Sequence, residues 1–305
     1  MDAPGLRLGT RASALARAQA DRVRAALEAA HAGLRVEMVF IRTSGDAGAQ
    51  GALGAGGVKG LFVKEIEEAL LAGAIDAGVH SMKDLPASLP LGLVVGAVPA
   101  RASAHDVLLS DGAGGLSGLP LGACVGTASV RRRAQLLARR RDLEIVSLRG
   151  NVDTRLRKWR GGEVDALILA AAGLERLGLS DPGARALSID EFLPAVGQGA
   201  LALECRGDDA RTRALLAAIE DQPTAAATVA ERAFLLAVGG DCNTPLAAHA
   251  TIEGGGLRLR ALVTDLDGRR WLEDTASAPL ADAAGLGRAL AERLLAAGAA
   301  EVLGR

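Results

Sequence analysis

The stretch Ala74-Ile75-Asp76-Ala77-Gly78-Val79-His80-Ser81-Met82-Lys83-Asp84-Leu85-Pro86 decides the architecture. Ala74 to Val79 is a short alternating apolar segment and Pro86 stops regular structure, so the segment reads as a buried strand whose last residues emerge into a loop. In open α/β sheets ligands sit beyond the carboxyl ends of strands. Lys83 and Asp84 are thus expected side by side at a crevice. The plain alternative is a strand-end ion pair on a solvated loop. Further polar, glycine-flanked strand ends in the chain point arginines and one cysteine at the same crevice.

Toward the N-terminus, Leu6 to Thr10 reads as a strand turning at Thr10-Arg11 into a helix with apolar positions Leu15, Val23, Ala26, Leu27 and Ala30. Arg11 and Ser13 fall near its start, where free N–H groups and the helix dipole favour an anion; Ser13 as a simple cap is the alternative. Arg35 to Ile41 is a second strand. Thr43 to Gly57, rich in Gly and Ala, has no pattern of its own and reads as a long loop. Within it Gly54 to Lys59 lacks the Gly-Lys-Ser/Thr ending of a phosphate loop, so no nucleotide site is expected. Gly60 to Ala72, carrying Phe62 and Lys64, is an amphipathic helix leading into the opening strand.

Toward the C-terminus, Val94 to Val98 is a strand, Pro99 to Ser103 a connection, and Asp106 to Leu109 the first strand of a new unit. The pattern restarts there. Ala123 to Gly126 is a strand, Thr127 to Ser129 a cap, and Val130 to Arg139 a helix opening on Arg131-Arg132-Arg133. Glu144 to Leu148 delivers Arg149-Gly150-Asn151, and Asn151 is placed to cap the helix carrying Arg155 and Arg157. Ala166 to Ala170 precedes a short helix with Arg176. Repeated strand, polar turn and helix units build parallel sheets with right-handed crossovers. A cation in the first turn of a helix opposes the dipole by about 0.3–1 kcal/mol, a cost that a bound anion offsets. Leu193 to Ala200 leads into an alternating strand, Leu201 to Cys205, and reads as a hinge returning the chain to the first unit. Pro223 to Val238 is a helix ending at the loop Gly239-Gly240-Asp241-Cys242-Asn243-Thr244-Pro245. Three strand-like segments and a helix from about Leu280 to Ala297 complete an antiparallel third unit.

The composition excludes several classes. The chain's 305 residues allow two or so domains, and 35 Lys plus Arg against 36 Asp plus Glu leave a net charge of −1. With aromatics at 2% and no tyrosine, a nucleic-acid-binding surface is not expected. No apolar signal region and no run of membrane-spanning length is evident, so a cytoplasmic location without membrane partners is expected. Cys124, Cys205 and Cys242 are an odd count without metal-ligand spacing, pointing to reduced thiols and no metal site. Cys124 and Cys205 lie within strands and read as small buried hydrophobes, which leaves Cys242 as the accessible thiol.

Taken in order, Leu8 to Ser13, Lys59 to Lys64, His80 to Pro86, Gly126 to Arg132, Leu148 to Arg155, Leu193 to Ala200 and the Cys242 loop closely resemble the porphobilinogen deaminase (hydroxymethylbilane synthase) family over essentially the whole chain. The resemblance implies an α/β fold. It has two doubly wound, periplasmic-binding-protein-like domains (1–99 with 200–219, and 100–199) and a small α+β domain at 220–305 with a three-stranded antiparallel sheet. It implies that four porphobilinogen molecules are joined head to tail with loss of ammonia, on a dipyrromethane cofactor held by a thioether to Cys242. Lys83, Thr127, Ser129, Arg131, Arg132, Gly150 and Arg155 match cofactor-binding positions. Arg11, Ser13, Lys59, Phe62, Arg149, Arg176 and Gln198 match substrate-binding ones. Primer and completed chain together carry about a dozen carboxylates, which suits guanidinium forks.

Asp84 matches the catalytic aspartate of the family. An aspartate of ordinary pKa, about 3.9, is only about 0.1% protonated at pH 7, so an ionised carboxylate that stabilises a developing pyrrole cation is favoured over a standing general acid. The family resemblance also implies a monomer. Two departures stand out: Asp241 separates Gly240 from Cys242, and Ala55 replaces a lysine found in some relatives. Aspartate tolerates a left-handed turn, but its carboxylate tends to raise the pKa of a neighbouring thiol. A non-catalytic two-domain protein binding a polycarboxylate is the competing reading, since the fold alone permits it.

Overall fold

The computed structural model describes residues 5–43, 63–112 and 114–305. In chain order its elements are β1 (Gly5–Arg11), α1 (Ala14–Ala30), β2 (Arg35–Ile41), α2 (Lys64–Leu71), β3 (Ala77–Ser81), β4 (Leu93–Ala97), β5 (Asp106–Ser110), β6 (Cys124–Gly126), α3 (Val130–Arg139), β7 (Glu144–Val146), α4 (Val152–Arg160), β8 (Ala166–Ala170), α5 (Ala171–Arg176) and β9 (Ala184–Ala186). They continue with β10 (Leu201–Arg206), α6 (Ala210–Ala217), α7 (Gln222–Ala237), β11 (Leu246–Glu253), β12 (Gly256–Thr264), β13 (Trp271–Pro279), α8 (Ala283–Ala296) and α9 (Ala299–Val302). The chain forms two compact units: Met1–Arg101 with Ala200–Ala225, and Ala102–Gly199 with Ala226–Arg305.

The first unit is built on a five-stranded sheet in the order β2-β1-β3-β10-β4. β1 is parallel to β2 and β3, and β10 runs antiparallel to both its neighbours. Purely parallel sheets, expected from the repeating pattern, are therefore corrected to mixed ones: the strand that returns from the second unit enters from the opposite end. β10 was also expected to alternate, yet Leu201 to Cys205 are all buried. Leu201, Leu203 and Cys205 join the cluster of Leu6, Leu8, Val23 and Leu27 on one face. Ala202 packs on the other with Val63, Met82 and Leu85. A central strand covered on both faces loses the period of two.

The second unit repeats the plan as β7-β6-β8-β5-β9, with β6 parallel to β7 and β8 and with β5 antiparallel to β8 and β9. Its core sets Leu108, Val125, Leu136, Ile168 and Phe192 on one side of the sheet and Leu109, Leu156, Trp159 and Leu167 on the other. The antiparallel meander β11-β12-β13 belongs to the same unit. Leu193 packs with Ala247 and Leu262. Gly268, in the β12–β13 turn at φ +65°, lies so close to α3 that a Cβ would fall 2.2 Å from the Ala134 carbonyl oxygen. Residues 226–305 thus share one compact unit with 102–199.

Candidate active site

In the first unit the site is the end of β3. The strand runs to Ser81 with His80 inside the sheet, and a single 3-10 turn, Met82–Asp84, follows. The turn is held from several sides. The Met82 N–H donates to the Ala200 oxygen at 3.0 Å, the Leu85 N–H to the Met82 oxygen at 3.2 Å, and buried Gln19 donates its Nε2 to the Ser81 hydroxyl at 2.9 Å. Met82 is buried, Lys83 half-buried and Asp84 exposed. Arg11 is the last residue of β1 and Ser13 caps α1, accepting from the Ala16 N–H. Because β1 and β3 are parallel neighbours, Arg11, Lys83 and Asp84 stand at one end of the sheet. Lys59 and Phe62 lie outside the described residues, as do Ala55 and most of the 43–57 loop.

In the second unit, Thr127 follows β6, and its hydroxyl accepts from the Ser129 N–H at 3.2 Å; Ser129 in turn caps α3. Arg131 and Arg132 come next and are buried, at 4% and 5% exposure. Asp106, fully buried at the start of β5, binds both: its Oδ2 accepts from Arg131 Nη2 at 2.7 Å, and its Oδ1 from Arg132 Nη2 at 2.7 Å and Nε at 3.0 Å. Arg131 Nη1 donates to the Leu193 oxygen at 2.7 Å, and Arg132 Nη1 to the Ile168 oxygen at 3.0 Å. Gln198 joins them, donating to Asp106 Oδ1 at 3.0 Å and to the Ala104 oxygen at 2.7 Å. Two guanidiniums on one carboxylate leave a buried net charge of +1. Burial pulls the Arg131 pKa down and Asp106 pulls it back, with Arg132 adding to the fall. Arg131 Nε is buried with no hydrogen-bond partner. The dipole cost argued from sequence is therefore met in part by Asp106, a residue read only as the start of a strand.

Arg149 and Gly150 are exposed after β7, Gly150 at φ +118°. Asn151 takes the cap position of α4 without a side-chain hydrogen bond, against expectation, and Arg155 is half-buried one turn on. Arg176, ending α5, donates to the Gly199 oxygen at 2.6 Å.

The three thiols differ sharply. Burial pushes Cys205 up to about 11 and raises Cys124, helped by Glu144 and Asp165; Cys242 alone is exposed. Its loop is shaped by Asp241, whose Oδ1 accepts from the Asn243 N–H at 2.9 Å and from the Thr244 hydroxyl at 3.0 Å. The left-handed position falls to Gly239, at φ +69°, and no described non-glycine residue has positive φ. The tolerance expected of Asp241 for such a turn is not called on; it serves as a side-chain turn acceptor instead.

Residues 6–214 match the family model described as "Porphobilinogen deaminase, dipyromethane cofactor binding domain", and residues 225–296 match "Porphobilinogen deaminase, C-terminal domain". The chain belongs to the porphobilinogen deaminase family. It is 51% identical to the porphobilinogen deaminase of Syntrophotalea carbinolica over 303 residues, 99% of this chain and 96% of the relative. To that of Acidithiobacillus ferrooxidans it is 51% identical over 298 residues, 98% and 97% of the two chains. Among solved structures, an arginine-specific periplasmic binding protein of Salmonella typhimurium is a distant likeness, with 16% identity, TM-score 0.38, and coverage of 73% of this chain and 94% of that one.

The residues present suit the family's anionic dipyrromethane cofactor: an exposed thiol, and in the same unit a buried cluster of net positive charge with a spare N–H donor. Asp106, Gln135 and Glu231 escaped the sequence reading. Gln135 grips both backbone groups of Leu193 at 2.8 Å, and Glu231 accepts from the Gly197 and Ala250 N–H groups at 2.6 and 2.9 Å. The advance signal was slight: Asp106 opens onto Val107-Leu108-Leu109, Gln135 precedes Leu136-Leu137, and Glu231 follows Val229-Ala230.

Proposed function

We propose that this chain makes hydroxymethylbilane by joining four porphobilinogen molecules head to tail. In each of four steps a C–N bond of the aminomethyl group breaks with loss of ammonia, a C–C bond forms to the free ring carbon of the last pyrrole of the chain, and that carbon releases a proton. Release then breaks the bond that held the first substrate ring to the primer, with water supplying the hydroxyl of the product and the proton left on the primer carbon. The observation that supports this most is the Arg131–Asp106–Arg132 cluster. A buried excess of positive charge is costly unless a ligand anion completes it, and each pyrrole of this substrate class brings two carboxylates. Dipyrromethane, when bound as a thioether to Cys242, supplies the free pyrrole carbon on which growth starts.

The side chains take the following roles in this reading. Arg131, Arg132, Arg155, Lys83, Ser129 and Thr127, with the backbone at Gly150, hold the cofactor's carboxylates. Arg11, Ser13, Arg149, Arg176 and Gln198 receive those of the incoming and growing chain, together with Lys59 and Phe62. Asp84, ionised, accepts from pyrrole N–H and stabilises the cation formed on the substrate as ammonia leaves. Residues 1–99 with 200–219, 100–199, and 220–305 act as three functional segments, the last presenting Cys242. The protein works as a cytoplasmic monomer; among the described residues no helix is long and apolar enough to cross a membrane.

Intact-mass measurement together with product assay tests the whole reading. A covalent two-pyrrole adduct that is lost in Cys242→Ser, with hydroxymethylbilane formed only by the adduct-bearing protein, is the expected result. Binding of polycarboxylates by a chain of unmodified mass, with no product, would leave a binding protein instead.

A further inference from the structure

Gln135 is fully buried on α3, one helical turn after Arg131, and the roles above do not use it. Its side chain closes on a single residue: Nε2 donates to the Leu193 oxygen and Oε1 accepts from the Leu193 N–H, both at 2.8 Å. The same Leu193 oxygen accepts from Arg131 Nη1 at 2.7 Å. Positions i and i+4 of one helix face thus hold one residue of a distant segment. Phe192, next in the chain, is buried and lies under the Arg131 guanidinium, 5.7 Å from the ring centroid. The Leu193 side chain packs on Ala247 and Leu262, which oppose each other across β11 and β12. β11 opens at Leu246, just after the Cys242 loop, and the Pro245 oxygen accepts from the Thr264 N–H on β12 at 3.0 Å.

We infer that Gln135 is a positioning residue of the anion site: by fixing Leu193 it sets the Arg131 fork relative to the strand that follows the Cys242 loop. Arg131 is anchored by Nη2 on Asp106 and by Nη1 on Leu193, and these two anchors decide where its buried, unpartnered Nε points. The Asp106 anchor stands on a sheet strand. The Leu193 anchor does not, since residues 193–195 belong to no helix or strand and Pro194 has no N–H to give. Glutamine supplies what a strand neighbour would, a donor and an acceptor on one side chain. Being uncharged, it leaves the net charge of +1 around Asp106 as it is, where a glutamate in its place would cancel it. A ligand tied by a covalent bond at one end has no freedom to follow a displaced guanidinium at the other, so small errors in the Leu193 anchor fall directly on the fit.

The inference rests on Arg131 holding the cofactor that Cys242 carries, and its test separates the two. Gln135→Met keeps the length of the side chain and removes both hydrogen bonds. Melting temperatures are read for the adduct-bearing protein and for Cys242→Ser, each with and without Gln135→Met. The gap between adduct-bearing and Cys242→Ser protein is expected to shrink by about half or more in the Gln135→Met pair. The apo chain incubated with porphobilinogen should gain the two-pyrrole mass about tenfold more slowly. A residue that only supports the fold lowers both members of the pair alike, so an unchanged gap overturns the inference, as does uptake at the wild-type rate. Hydrogen exchange in the unsubstituted chain decides the matter where Gln135→Met fails to fold. A ligand on Arg131 must protect the residue that anchors Arg131, so the adduct is expected to slow exchange of the Leu193 amide about tenfold more than that of Leu262 on β12. Equal slowing at the two overturns the inference. A wild-type chain that never gains the adduct refutes the proposed function and this inference together; one that gains it, beside a Gln135→Met pair of unchanged gap, overturns the inference alone.

Discussion

Arg131 and Arg132 meet opposing demands, since they must stay charged to bind an anion yet lie inside the protein. Asp106 reconciles them by neutralising one charge and fixing both forks. Asp106→Asn is therefore expected to destabilise the fold by about 3–5 kcal/mol, as removal of one partner from a buried pair does, measured by denaturant unfolding. Asp106→Glu should fail to restore it, because the longer side chain cannot hold three donors and Gln198 at once. At Asp84 the expectation concerns charge. Asp84→Asn and Asp84→Ala should both lose about a hundredfold or more in turnover; near-normal activity in the asparagine variant would mean that hydrogen bonding suffices. The exposure of Asp84 and Cys242 was legible in the sequence because each follows a regular element in a turn closed by a nearby proline, Pro86 or Pro245. Asp106 and Glu231 were not, because their meaning lies in partners supplied by distant segments: Arg131 and Gln198 for one, Gly197 and Ala250 for the other.

Most strands and helices followed from apolar spacing and turn residues, including α3, whose bounds agree at both ends, and the β11–β13 meander. Short β9 and α6 went unread, the first too brief to show a period, the second without a marked apolar face. β3 ends at Ser81, and the residues that emerge from it are those of the Met82–Asp84 turn. Two element-scale outcomes can be measured. Asp76 ties β1 to the residues before β3 through Arg7, whose Nη2 and backbone N donate at 2.7 and 2.8 Å. Burial alone would raise the Asp76 carboxyl, but the Arg7 hydrogen bonds and charge, with Arg206, outweigh it and hold it below the ordinary range. A carboxyl depressed in the folded state stabilises above its unfolded pKa, near 3.9, and loses that contribution as pH falls through the folded value. Asp76→Asn should thus flatten the acid limb of thermal stability below about pH 4, read by calorimetry. Gly199, at φ +89°, would place a Cβ 2.4 Å from the Ala102 oxygen, where the Ala102 N–H donates to the Gly199 carbonyl at 3.2 Å. Gly199→Ala is expected to cost about 1–3 kcal/mol through strain, seen as a lowered Tm.

For the molecule as a whole, the chain passes between its two compact units at Arg101–Ala102 and Gly199–Ala200, and in the sequence the strand pattern restarts at Asp106 and turn residues cluster before Leu201. The antiparallel pattern of residues 220–305 is self-contained in the sequence, and the close approach of Gly268 to α3 is a contact that no periodicity reveals. If carboxylates complete the cluster around Asp106, the cofactor-bearing protein should melt several degrees above Cys242→Ser, and equal melting points would contradict it. The position of β10 has a further consequence, for how the chain is made. Of the first sheet's strands, β10, which lies between β3 and β4, is the last to leave the ribosome, after the whole of residues 102–199. At about 5–20 residues per second, the facing edges of β3 and β4 wait several seconds for it. During translation, the nascent N-terminal portion therefore presents two unpaired edges to chaperones and to neighbouring nascent chains.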